Sequence, residues 1–144
     1  MPQICVTREL GSAPEAVFDA WLDPASACRW LFKTPTGEMV RVEIDGRVGG
    51  SFTIVERREG EDVAHVGEYL EIAKPARIVF KFGVPKYSPE RDRVAVEIEP
   101  ADGGSRVTIT QDLNPGYAAF AASVEQGWRD ILEGLAATLG PGPV

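Results

Sequence analysis

GWRDILEGL, residues 127–135, lies inside the longest helical pattern of the chain. With Trp128 as origin and about 100° per residue, Phe120, Val124, Ile131, Leu132, Leu135 and Leu139 fall in one apolar stripe around it. The pattern predicts a helix from roughly Gly116 to Leu139 that buries one face. Two glycines interrupt it. Each costs about 1 kcal/mol relative to alanine in a helix interior, yet Gly127 and Gly134 stand along the same edge of the stripe. Two explanations are open: close approach of a neighbouring backbone, or a space left beside Trp128.

Upstream of this helix the period changes to two. Val40, Val42 and Ile44 alternate with polar residues, as do Phe52 and Ile54, Val94, Val96 and Ile98, and Val107 and Ile109, ending at Gln111. Strands are also expected over 3–9, 63–72 and 77–82, with Val48-Gly49-Gly50, Gly60 to Asp62, Lys74-Pro75 and Asp102-Gly103-Gly104 as turns. Ser12-Ala13-Pro14-Glu15 reads as a capping box opening a short helix with Val17, Phe18, Trp21 and Leu22. Asp23-Pro24 ends that helix and starts another through Leu31. The sum is an α+β chain of about seven strands in an antiparallel sheet, two short helices after the first strand and one long C-terminal helix. Residues 1–140 read as one domain and 141–144 as a frayed end.

Composition excludes several classes. Of 144 residues 44% are hydrophobic, enough for a core without metal or disulfide. The net charge of −7 and scattered lysines and arginines offer no basic stripe for nucleic acid. No apolar run approaches the roughly 18 residues a membrane helix needs, and no leader pattern opens the chain, so a cytoplasmic location is expected. One histidine and two cysteines cannot assemble a zinc site. Cys5 and Cys28 read as small buried apolar residues. No cofactor is expected, since phosphate-loop and nucleophile-elbow patterns are missing.

The stretches SAPEAVFDAWLDPASACRWL (12–31), GRVGGSFTI (46–54), GEYLEIAKPARIVFKF (67–82), SRVTITQD (105–112) and GWRDILEGLAATL (127–139) resemble the heat-shock-protein-90 ATPase activator homologue family in its single-domain bacterial form. That family is part of the START-like, birch-pollen-allergen-like helix-grip superfamily. The resemblance implies a curved sheet wrapped around the long helix with a cavity between them. Lys81-Phe82 departs from a frequent Thr-Trp pair, and Ala73-Lys74-Pro75 from a more usual Asp-Pro-Pro. Three functions follow as expectations: binding of a small hydrophobic or aromatic molecule such as a lipid or polyketide-like compound, a stress-response role as chaperone cofactor, and polyketide cyclase or dehydratase chemistry. Oligomeric state is left open, and no catalytic residue is assigned.

Strand parity and the helix stripe, with Trp30 added from the end of the second short helix, nominate the cavity wall: Trp30, Val42, Phe52, Ile54, His65, Tyr69, Phe80, Phe82, Val96, Gln111, Val124, Trp128 and Leu132. Pairing of Tyr69 with Phe80 through a two-residue turn puts His65, Gly67 and Tyr69 inside. A bulge or a three-residue turn would reverse that face, because one register step flips every side chain. A mostly apolar wall with few polar groups suits a small-molecule site and equally a filled core. His65 is the first acid–base candidate by its ordinary pKa, although no carboxylate partner is evident. Glu125 reads as a helix-rim carboxylate. Glu56, Glu59, Glu61 and Asp62 read as a solvated acidic cluster around a turn, and Glu97 and Glu99 as an outer face.

Overall fold

The computed structural model describes residues 3–34, 36–86 and 89–140; the expectation of a frayed end at 141–144 lies outside them. Seven strands form one antiparallel sheet: β1 (Gln3–Leu10), β2 (Glu38–Ile44), β3 (Ser51–Arg58), β4 (Glu61–Ala73), β5 (Arg77–Gly83), β6 (Asp92–Ala101) and β7 (Gly104–Asp112). Their spatial order is β1-β7-β6-β5-β4-β3-β2. Every neighbour from β2 to β7 is a sequential hairpin, and β1 closes onto β7. Helices α1 (Pro14–Leu22) and α2 (Pro24–Ala27) carry the chain from one sheet edge to the other. The long helix α3 (Ala121–Leu139) lies across the inner face and buries Trp128, Leu132 and Leu135. This is the expected helix-grip arrangement.

Local differences from the sequence expectations have physical causes. Ser12 does not cap α1. The N-cap is Ala13, without a side-chain hydrogen bond, and the Ser12 carbonyl instead accepts from Ser105 Oγ at 2.6 Å. Asp23 does act at the junction, closing α1 through its N–H and capping α2 by accepting from the Ala25 N–H at 3.0 Å. Helix α2 is shorter than expected, with turns over 28–32 and irregular chain at 33 and 34. Residues Pro115–Phe120 form a 3-10 turn, so α3 begins five residues later than predicted. That turn winds by about 120° per residue, which rotates Phe120 off the stripe and leaves it 57% exposed.

In β2, Met39 faces Glu56 and Arg41 faces Val55, so Val40 is the extra residue of a bulge. Its side chain turns outward, while Met39, Val42 and Ile44 pack partly against the core. Cys5 is exposed and Cys28 half-buried, its Sγ donating to the Ala25 carbonyl at 3.2 Å, so neither is the buried apolar residue expected.

The deep half of the interior is filled. Trp21 and Trp30 meet edge to face with centroids 4.8 Å apart, and Phe52 meets Phe80 the same way at 5.4 Å. Edge-to-face contact satisfies the ring quadrupoles while excluding voids. The gap lined by Trp21, Leu31, Phe52, Tyr69 and Phe80 is only ≈ 10 Å3, about one water probe.

Candidate functional site

At the other end of α3 the interior stays open. A cleft of ≈ 270 Å3 lies between α3 and the sheet, bounded by Phe32, His65, Phe82, Val124, Trp128 and Ile131, with Lys33, Thr34, Arg58, Gln111 and Asp130 also on its border. The two glycines of the long helix now have separate explanations. A Cβ on Gly134 would sit 3.2 Å from the Cβ of Trp30, so that glycine permits close approach. A Cβ on Gly127 would meet nothing within 4 Å, and Gly127 borders the cleft beside Trp128. Both readings of the sequence hold, one for each residue.

The cleft is walled by stacked rings. Phe32 lies flat against His65, with centroids 4.6 Å apart and planes 4° from parallel, and against Phe82 at 5.0 Å and 11°. Trp128 closes the layer at a steep angle, 5.8 Å from Phe32 and 6.1 Å from Phe82. Phe32 achieves this from φ 55, the left-handed region that a bulky side chain rarely occupies. Such a backbone persists only where surroundings hold it.

A buried carboxylate supplies the hold. Glu56 is fully buried, contrary to its expected place in a solvated acidic cluster. Its Oε2 accepts from the Thr34 N–H and from Thr34 Oγ1 (2.9 Å for the hydroxyl), and its Oε1 from Arg58 Nε. Burial pushes its pKa up, but the Thr34 N–H, the Arg58 guanidinium and the Thr34 hydroxyl together outweigh burial and hold it below the usual carboxylate range. The segment carrying Phe32, Lys33 and Thr34 is thereby latched to β3.

Trp128 is fixed in a similar way. Its Nε1 donates to Gln111 Oε1 at 2.7 Å, and Gln111 Nε2 donates to Asp92 Oδ2 at 2.8 Å. Gln111 therefore ties β7 to α3 and β6, with both ends of its amide engaged. His65 faces the Ile54 carbonyl through Nδ1 at 3.3 Å. Because a carbonyl only accepts, a neutral ring making this bond carries its proton on Nδ1. Burial, helped by the charge of Arg58, holds its pKa down to about 4. A neutral imidazole of that basicity is a weak general base near pH 7. Glu56, the nearest acid along β3, commits its oxygens to Thr34 and Arg58 rather than to the imidazole. Burial raises the Tyr69 hydroxyl pKa.

Of the thirteen wall residues nominated from sequence, His65, Phe82, Gln111, Val124 and Trp128 border the cleft. Trp30, Phe52, Ile54, Tyr69, Phe80, Val96 and Leu132 are buried in the packed core, and Val42 packs against its edge. None of these eight borders the cleft. Glu125 stands away from it, paired with Arg129 at 2.7 Å. Sequence reasoning missed Phe32, Lys33, Thr34, Arg58 and Asp130. The apolar run Trp30-Leu31-Phe32 past a helix end was one signal. Another was the parity of β3, where Glu56 shares the inward series of Phe52 and Ile54. Among the described residues no three His, Cys, Asp or Glu side chains cluster as a metal site. No described helix is long and apolar enough to cross a membrane.

Solved structures of the same architecture span the chain. A protein of Chromobacterium violaceum aligns over 99% of this chain and 98% of its own, with 26% identity and a TM-score of 0.86. The AHSA1-like protein from Aeromonas hydrophila aligns over 96% and 92%, with 22% identity and a TM-score of 0.83. A protein of unknown function from Staphylococcus aureus, 16% identical with a TM-score of 0.82 over 96% and 93%, shares the fold. No curated protein matches the chain. The family described as activator of Hsp90 ATPase homolog 1-like protein matches residues 12–140, and the chain belongs to that family.

Proposed function

We propose that this protein binds a compact aromatic molecule in the cleft between α3 and the sheet. The observation that carries the reading is the ring-walled cleft of ≈ 270 Å3, kept open where Gly127 lacks a side chain. Its volume falls just under the about 300–1,000 Å3 typical of small-molecule sites. That size suits a ligand of one or two rings better than a sterol or a long acyl chain, because the deeper interior is already occupied by aromatic side chains. Ring contacts beyond area burial contribute about 0.5–1.5 kcal/mol each, and the fixed positions of Phe32 and Trp128 lower the ordering cost of binding.

The family description suggests contact with a chaperone ATPase as a second reading, and the wider superfamily suggests cyclase-type catalysis. The cleft favours simple binding over catalysis, because His65 is held neutral and no carboxylate among the described residues hydrogen-bonds it.

The test is thermal unfolding with two-ring aromatics beside palmitate and a sterol. A two-ring aromatic at 100 times its dissociation constant should add about 2.7 kcal/mol, roughly 5–10 °C for a chain of this length. Palmitate and the sterol should give no shift. Gly127→Phe, which fills the cleft from a helix position with open space, should abolish the response while Gly127→Ala keeps the fold. A shift that survives Gly127→Phe, or none with any aromatic, would overturn the reading.

A further inference from the structure

The polar groups at the edge of the cleft carry a further statement about its ligand, one that rests on the binding reading above. Lys33 follows the strained Phe32 directly. Its Nζ donates to the Thr34 carbonyl at 3.2 Å and meets no carboxylate among the described residues. Arg58 uses Nε for Glu56, leaving its two terminal nitrogens without a hydrogen bond among the described residues, and its side chain is one-third exposed. Both border the cleft.

A single buried group arranges the two cations. Glu56 holds Arg58 directly, and it holds Lys33 in place by anchoring the next residue, Thr34, through backbone and hydroxyl. On the other side of Lys33, the Phe32 ring is stacked against both His65 and Phe82, which lie 6.3 Å from each other. Glu56 itself is fully buried, so a ligand meets the cations and not the carboxylate between them. The acid that a ligand can meet is Asp130, which comes from α3 rather than from the sheet side and already accepts from Gln126 Nε2 at 3.0 Å. Arg58 serves the fold through Nε on Glu56, but its terminal nitrogens and the Lys33 ammonium meet no carboxylate among the described residues; an anion arriving there gains two donors. We propose that the cleft selects a compact aromatic monocarboxylate, its ring against Phe32, Phe82 and Trp128 and its carboxylate on Lys33 and Arg58. Asp130 on the opposing wall disfavours a second negative charge and offers an acceptor to a ligand hydroxyl.

The experiment compares one ring system in three charge states by calorimetry at pH 7: 2-naphthoate, 2-naphthamide and 2-naphthylmethylammonium, on the wild-type chain, Lys33→Gln and Lys33→Arg. Naphthoate should bind about tenfold more tightly than the amide, a factor equivalent to about 1.4 kcal/mol. Lys33→Gln should cut that ratio severalfold, Arg58 retaining the remainder, and Lys33→Arg should keep the preference. Equal binding of naphthoate and amide to the wild type would leave the aromatic cleft standing and overturn the anion selection. Tighter binding of the ammonium would also overturn it and assign the selection to Asp130. Binding by none of the three would overturn the cleft reading itself.

Discussion

Gly134 lies against Trp30 so closely that a methyl group on the helix would stand 3.2 Å from the Trp30 Cβ. Trp30 has no room to retreat, since it is buried and meets Trp21 edge to face at 4.8 Å. Alanine ordinarily stabilises a helix interior by about 1 kcal/mol over glycine, and overpacking costs about 1–3 kcal/mol. Here the second effect wins. Gly134→Ala should lower stability by about 1 kcal/mol and Gly134→Val by about 3 kcal/mol in urea unfolding. A stabilised Gly134→Ala would show that this helix edge is not a close-approach surface.

Gly127 should respond in the opposite sense. Nothing lies within 4 Å of a Cβ placed there, so alanine keeps its helix preference without a clash. Gly127→Ala should raise stability by about 0.5–1 kcal/mol, a few degrees in Tm. The same methyl group intrudes on the cleft, so affinity for a two-ring ligand should fall while stability rises. Destabilisation by Gly127→Ala would mean that the helix edge at 127 is packed rather than open.

The architecture was readable because alternation and helical period are global signals, and the pairing of Tyr69 with Phe80 was read for an instructive reason. The turn between β4 and β5 has three residues, Lys74 to Ala76, since Ala73 faces Arg77. That alone would have turned His65 and Tyr69 outward. A bulge at Leu70 adds one residue on β4 and restores the register, so Tyr69 faces Phe80 after all. Two offsets of opposite sense left the simple count intact. The bulge at Val40 has no such partner, and there the count failed. The cleft itself was harder to see, because Phe32 and Lys33 lie in irregular chain where no period applies. Which half of the interior is filled depends on how rings interlock, and spacing does not encode that.

Glu56 provides the third prediction. Removing it leaves the Thr34 N–H and hydroxyl and the Arg58 Nε without their acceptor. Loss of one partner from a fully buried ion pair costs about 3–5 kcal/mol. Arg58 is one-third exposed and can rehydrate, so Glu56→Ala should cost less, about 2–4 kcal/mol. Glu56→Gln keeps an acceptor for Thr34 and should fall between. Both variants release the 32–34 segment, so faster amide hydrogen exchange at Lys33 and Thr34 should accompany the loss. Unchanged exchange there would mean that the segment is held by the Phe32 stack alone.

His65 gives the fourth, a dependence on pH. Its pKa is about 4 in the folded chain against 6.5 as the ordinary value. Well above pH 6.5 the ring is neutral in both states and contributes no slope. Between pH 6.5 and 4 the unfolded chain binds a proton that the folded chain refuses, so stability falls as the solution is acidified. The slope is at most about 1.4 kcal/mol per pH unit, giving a loss of about 2 kcal/mol between pH 7 and 5 and about 3 kcal/mol in full. Glu56, whose pKa is lowered in the fold, adds its own loss only near and below its ordinary 4.5, so the two contributions separate along the pH axis. His65→Phe keeps a flat ring against Phe32 and removes the titration. Its stability should therefore change less than that of the wild type between pH 7 and 5, by about 2 kcal/mol in denaturant midpoints converted to free energy. Parallel pH profiles for the two proteins would show that His65 titrates as a solvated imidazole and is not held within the ring stack.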